Sequence, residues 1–575
     1  MLGNSGMSRI HTLALVAVLG ACIAGDDEDD VPVVEPTYLS PVAHLHRASM
    51  ALRGVKPRPE DLDRVAANPA ELEAVVDAYL DSPEFGKVVR DLHNEALLLR
   101  TDYFYYPAGF KPIAGLAGED SFYLNRSIQE AALRLIEHVV MNDRPYTEIV
   151  TADYLIANRV VATVWGSMGY DPAGPEWQVT QWNDGRPRAG ILSDPWVFSR
   201  HNSTPSNANR GRANAISKAL LCYDFLSRDI EIDASINLAD PEMVKNAVVD
   251  NDACASCHQA LDPLAAFFAD YFPIYVADQF TTYPFKNNFI TEQGLAIDFY
   301  MPGLGVYYFG ELRDPAYFGD AGQTVTDLGR MMANDPRLSL CAAKRFYAYF
   351  HQVDVDDVAL EAIAPLQDTF IRSGFNAKEL AKAIVLDKSF AASHADDAEL
   401  SETLVGVLKT RPDQLGSMIE DLTGFRWQLD PALELGQVEL TGDSFVGFQV
   451  IGGGIDAAYV TQPAHTFNVT SSLLFETLAA EAAAHVVATD SLEPDATKRR
   501  LFLYAHPNAG SADEIRAQLA YLHKRLFAEM VEPGSPEVKE SFDLFMALLN
   551  HSNDVGRAWQ GVLTAMLQDI RVASY

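Results

Sequence analysis

The sequence predicts a mainly α, multi-domain chain with minor β structure in its middle and C-terminal segments. Three observations predict it. Apolar residues recur at helical spacing, as at Leu62, Val65, Leu72, Val75, Val76 and Leu80. Helix starts are marked by capping residues, as in Asp81-Ser82-Pro83-Glu84-Phe85, where Ser82 suits an N-cap and Pro83 the first helical position. The length of 575 residues, 48% hydrophobic and 21% charged, suits about three domains with cores of their own.

The first residues read as an address. Arg9 precedes the apolar run Ile10 to Ala21, which is shorter than the roughly 20 residues a membrane span needs. It suits the h-region of a secretory signal, with Met7 as an alternative start. Leu19-Gly20-Ala21-Cys22 resembles a bacterial lipobox, so residues 1–21 are expected to be a signal peptide and Cys22 to carry lipid. The competing reading is an ordinary signal peptide with an incidental cysteine. Residues 22–37, with Gly25-Asp26-Asp27-Glu28-Asp29-Asp30, suit an acidic tether. Ile23 rather than Asp follows Cys22, so the expected location is periplasmic or cell-surface, anchored to a bacterial membrane, by preference the outer one.

Residues 38–165 are expected to form an N-terminal helical domain. Within it an amphipathic helix covers 121–140, is closed by Asn142-Asp143-Arg144-Pro145, and is followed by a further helix toward Asn158. Residues 166–395 begin as a block rich in Gly, Pro, Trp and Asp that suits loops with short strands. A helix is expected near Asn209–Cys222, an irregular aromatic stretch at 271–320, and helices again at 324–352 and 377–389. Residues 391–401 suit a linker, and 402–575 a third, mainly helical domain. In that last domain Val438–Val460 alternates like a strand around Gly452-Gly453-Gly454.

One motif carries chemistry. Asn251-Asp252-Ala253-Cys254-Ala255-Ser256-Cys257-His258 contains Cys-x-x-Cys-His. Two cysteines one helical turn apart can each bond a porphyrin vinyl group, and the adjacent histidine can then face the iron. The motif predicts one covalent haem c on Cys254 and Cys257 with His258 as axial ligand, in a cytochrome c-like domain inside residues 166–395. A zinc site would want a second pair of ligands, which the sequence does not offer. A thioredoxin-type dithiol would want a βαβ context and leaves His258 unexplained.

The sixth iron ligand is open. Met301-Pro302-Gly303 resembles a class I cytochrome ligand loop. Met331, Met332, His201 and His351 are rivals, and each also suits plain packing. Arg210 is a candidate partner for a haem propionate, against a structural role. Asp262-Pro263 is expected to turn the chain after the motif. Of the five cysteines, Cys222 and Cys341 remain, as a disulfide or as two buried thiols.

The formal net charge of −35 argues against nucleic acid as a partner. It suits either steering of a basic redox partner or solubility alone.

Several stretches resemble the planctomycete- and myxobacterial-type cytochrome c proteins built from domains of unknown function. They are His46 to Gly54, Asp81 to Gly86, Asn142 to Tyr146, Thr151 to Tyr154 with Asn158, Ala189 to Leu192, Thr204-Pro205-Ser206, Arg210-Gly211, Leu220-Leu221-Cys222, and Cys254 to His258 followed by Leu261-Asp262-Pro263-Leu264. Cys341 resembles a cysteine that the family places in a later helix. Arg411 to Leu415, Leu422-Thr423-Gly424 and Trp559 resemble a companion module. The family's Leu-Gly-Arg after the later cysteine is replaced by Tyr349-Phe350-His351-Gln352. The resemblance implies a secreted haem protein associated with an extracytoplasmic redox protein or a polymer-degrading system. The expected function is electron transfer by an exported monohaem lipoprotein. The alternatives are a haem peroxidase or oxygenase-like enzyme with an open iron position, and an outer-membrane binding scaffold whose haem is structural.

Overall fold

A computed structural model describes residues 35–101, 116, 121–201, 203, 207–227, 236–237, 239–271, 289–290, 296–297, 300–310, 312–429, 438–444 and 446–575. The signal segment, Cys22 and nearly all of the acidic tether lie outside them. The chain is mainly helical. Among the described residues, strands occur only as four antiparallel two-stranded pairs.

The helical period at 62–80 becomes two helices, Pro59–Ala67 and Glu71–Leu80, which bury Leu62, Val65, Val75, Val76 and Leu80. Asn68 ends the first, and Pro69 prevents a continuous ladder because it has no N–H to donate. Ser82 and Pro83 do open the helix Pro83–Leu97. The helix Ser121–Met141 packs along it. The helix expected toward Asn158 is absent. Tyr146–Val150 is a 3-10 turn, Leu155–Ala157 is a strand paired with Gln178–Thr180, and Asn158 instead caps a new helix, Arg159–Trp165. The Asn158 side chain accepts the Val161 N–H at 2.9 Å, which favours a helix start over a helix end.

Among the described residues the strand-like alternation at 438–460 yields only an isolated antiparallel bridge, Glu439 with Gln428. Tight turns replace the strand: Phe448 accepts the Gly452 N–H, Gln449 accepts the Gly454 N–H, and Gly453 sits at φ +96°. The expected linker at 391–401 is ordered. Ala392–His394 pairs with Thr37–Tyr38, tying the described N-terminal edge to the end of the middle segment.

Buried apolar side chains form two clusters. The first draws on residues from Leu45 to Leu408, on both sides of 165. The second is built from Leu415 to Ala573, with Met50 inserted from the N-terminal segment. Contacts between the two are polar as well. The Arg411 guanidinium pairs with Glu95 and donates to the Tyr349 carbonyl at 3.0 Å, and Gln414 donates to the Met50 carbonyl at 3.0 Å.

Two helices position the candidate site. Arg210–Leu221 ends at Cys222 in the left-handed region (φ 49°), and Cys222 is disulfide-bonded to Cys341 on the helix Pro336–His351. The bond closes a separation of 119 residues. Replacing both cysteines by alanine is expected to cost about 2–5 kcal/mol, because the unfolded chain regains the freedom of that long loop. Urea midpoints of the double variant and of the reduced wild type should agree; a variant as stable as the oxidised wild type would refute the expectation.

Candidate functional site

Cys254, Cys257 and His258 lie on the helix Asp252–Ala266. The chain starts a helix here because the Asn251 side chain accepts the Ala253 and Cys254 N–H groups, at 3.1 and 3.2 Å. At 3.6 residues per turn the three side chains leave the helix within an arc of about 100°. Both cysteines are free. Cys254 is half-buried, while Cys257 is buried and its thiol faces the Phe225 carbonyl at 3.9 Å. Phe225 stacks on Phe318, and Tyr223 meets it edge-on, so an aromatic wall borders Cys257.

His258 is partly exposed, and its Nδ1 is 2.8 Å from the Asp262 carboxylate, one helical turn on. With Nδ1–H donating there, Nε2 keeps its lone pair for a ligand role. Nε2 has no hydrogen-bond partner among the described residues. Asp262 is held from a second helix. The Arg210 guanidinium forks onto it at 2.7 and 3.0 Å, and Arg313 stands 3.9 Å away. Burial would raise the Asp262 carboxyl, but the hydrogen bonds from His258 and Arg210, with the Arg210 charge, bring it down to about 2. It is therefore a carboxylate at neutral pH.

This arrangement corrects the expected role of Asp262-Pro263. The helix does not turn there but runs through Pro263 to Ala266. Proline costs the helix one hydrogen bond, and apolar burial of Leu261, Leu264 and Ala265 outweighs that cost. Arg210 comes to the site and binds the Asp262 carboxylate.

The structure gathers these residues and places the other candidates elsewhere. The Met301 N–H donates to the Asp270 carbonyl, so Met301 sits past the C-terminal end of the motif helix. From His258 to Ala266 alone that helix rises about 12 Å. Met331 lies near Phe267 at the same end, and Met332 is buried in the first core cluster. His351 is buried, stacked on Tyr347 at 3.7 Å, and its Nδ1–H donates to the Tyr347 carbonyl at 3.0 Å. Burial pushes its imidazole down to about 4. His201 is partly buried, and desolvation with the neighbouring Arg200 charge pushes its imidazole down to about 3. It lines a cavity of about 470 Å³ together with Cys222, Arg345 and Arg411. The motif residues do not line that cavity.

No family model, curated protein or solved structure matches the chain.

Among the described residues no group of three or more His, Cys, Asp or Glu side chains is placed to hold a metal ion. Two free thiols and one imidazole with an unengaged nitrogen, on one helical turn, fit a group that brings most of its own iron ligands. A covalently attached haem is such a group. Sequence reading missed Arg313 and the part played by Asp262. The i,i+4 spacing of His258 and Asp262 was the available signal for the second; nothing in the sequence brings Arg313 to them. Among the described residues no helix is long and apolar enough to cross a membrane.

Proposed function

We propose that the chain is an exported monohaem c-type cytochrome, carried as a lipoprotein on Cys22, that passes electrons to or from an extracytoplasmic redox partner. The observation that carries this reading is the single helical turn that presents both free thiols and His258, with Asp262 occupying the other imidazole nitrogen. Cys254 and Cys257 would hold the haem by thioether bonds and His258 would bind the iron. The haem, when bound, supplies a one-electron ferric–ferrous couple. The protein's part is to fix the ligand, and the partial exposure of Cys254 and His258 leaves an edge of the site open to a partner. The net charge of −35 favours a basic partner surface, and salt is expected to slow their association.

One observation favours a second reading, an enzyme with an open iron position. His351 and Met332 are buried in other surroundings, and His201 lines a cavity that the motif residues do not.

The test is an absorption spectrum and a pyridine haemochrome assay on full-length protein made with c-type maturation machinery. Haem that resists acidic acetone, and is lost from covalent attachment in Cys254→Ala and Cys257→Ala, is the expected result. A ferric band at about 695 nm would indicate methionine ligation and electron transfer. A high-spin spectrum that shifts with carbon monoxide or peroxide would favour the enzyme. Wild-type protein without haem despite competent maturation would overturn the proposal.

A further inference from the structure

We infer that Asp262, clamped by Arg210, is a positioning residue that sets the tautomer and donor strength of His258, and so biases an iron bound there toward its ferric state. The inference rests on the haem reading and adds to it a part that neither the motif nor the comparisons assign.

Three geometric facts carry it. The Asp262 carboxylate meets His258 Nδ1 at 2.8 Å, from one turn along the same helix, so the pair moves as a unit. Arg210, on the helix Arg210–Leu221, grips both carboxylate oxygens, at 2.7 and 3.0 Å, which fixes the acceptor in space. The Asp262 side chain is only 11% exposed, so water does little to screen its charge from the imidazole. The helix bearing Arg210 is in turn tied down at its far end by the Cys222–Cys341 disulfide.

A carboxylate that accepts from Nδ1–H directs the Nε2 lone pair outward and makes the imidazole a more basic ligand. A more basic ligand, with a negative charge behind it, stabilises the higher charge of ferric iron. Arg210 acts in the opposite sense, since its positive charge offsets part of that of Asp262. The two residues touch one another, yet they must move the potential in opposite directions. A purely structural clamp would behave differently: loosening it from either side would disturb His258 in the same way.

The experiment is a mediated spectroelectrochemical titration of full-length haem-loaded protein, in which the mediators exchange the single electron of the couple. Wild type, Asp262→Asn, Asp262→Glu and Arg210→Gln are compared at pH 7, with haem content checked by pyridine haemochrome. Asp262→Asn is expected to shift the ferric-to-ferrous preference about tenfold toward ferrous, a rise of about 59 mV for one electron. Asp262→Glu is expected to return toward wild type, and Arg210→Gln to fall below it. Potentials that stay unchanged in Asp262→Asn, or that move the same way in Asp262→Asn and Arg210→Gln, would overturn the inference while leaving the haem reading intact. A wild type without haem would remove the haem reading itself. If Arg210→Gln does not fold, the contrast between Asp262→Asn and Asp262→Glu still decides, because only the first removes the charge.

Discussion

Lys56→Met is expected to abolish a rise in stability of roughly 5 kcal/mol that the wild type gains between pH 7 and pH 10.5. Lys56 is 1% exposed. Its ammonium reaches the His46 Nε2 at 2.8 Å and the Arg571 carbonyl at 3.0 Å, and among the described residues no carboxylate pairs with it. Burial, and then the Arg525 charge, depress its folded-state pKa from 10.5 to about 7. Between those values the unfolded chain holds a proton that the folded chain has released. The unfolded state therefore binds more protons, and stability climbs with pH across the window. Below pH 7 both states are protonated and the folded state carries the full cost of a buried charge. Methionine fills similar space without the charge. It leaves the Arg571 carbonyl and His46 without a partner, at about 1–3 kcal/mol each. The variant should thus be relatively better at pH 6 and relatively worse at pH 10. Urea midpoints of both proteins from pH 6 to pH 10 would show this as crossing curves; parallel curves would mean that Lys56 keeps its ordinary pKa in the fold.

The second large effect is expected from Arg100. Its guanidinium pairs with Asp91 and with both oxygens of Glu130, and Arg90 approaches Glu130 at 2.7 Å and Glu137 at 3.1 Å. The Arg100 side chain is 13% exposed and that of Glu130 8%. Burial would raise the Glu130 carboxyl, but the charges of Arg100 and Arg90 and their hydrogen bonds carry it well below the usual carboxylate range. Arg100→Met leaves two largely buried carboxylates short of a cation, and the expected loss is about 3–5 kcal/mol at pH 7. The sign with pH follows from the depressed carboxyl. Its contribution is complete above the unfolded-state pKa and fades as pH falls through the folded one. The penalty of Arg100→Met should therefore shrink toward low pH, where protonation removes the unpaired charge. Chemical denaturation at pH 7 and pH 3 measures both numbers. Equal penalties at the two pH values would show that the loss comes from packing and not from the ion network.

The chain was legible in some respects and not in others. Helices at 59–67, 71–80, 83–97, 121–141 and 210–221 could be read from apolar spacing and capping residues, because those signals act within a few residues. The segments read wrongly, at 146–158 and 438–460, are ones where long-range bonds compete with local preference. Tyr146 donates its N–H to the distant Phe375 carbonyl, and the Gln449 side chain donates to the distant Asp413 carboxylate at 3.3 Å. Gly190 shows the same limit. Its φ is +54°, and a Cβ there would collide with the Ile149 carbonyl, a contact that no local pattern announces.

The candidate site divides in the same way. The sequence by itself determined the helical class, the Cys254-x-x-Cys257-His258 turn, and the spacing that lets Asp262 reach His258, because all of these are set within about two turns of one helix. Only the tertiary structure decided that Arg210 would grip Asp262, that Cys222 would meet Cys341, and that Met301 would lie past the end of the motif helix. Those pairings join residues 52, 119 and more than 30 positions apart. They depend on how whole helices pack to bury apolar faces, and the sequence pattern of any one helix does not specify its neighbour.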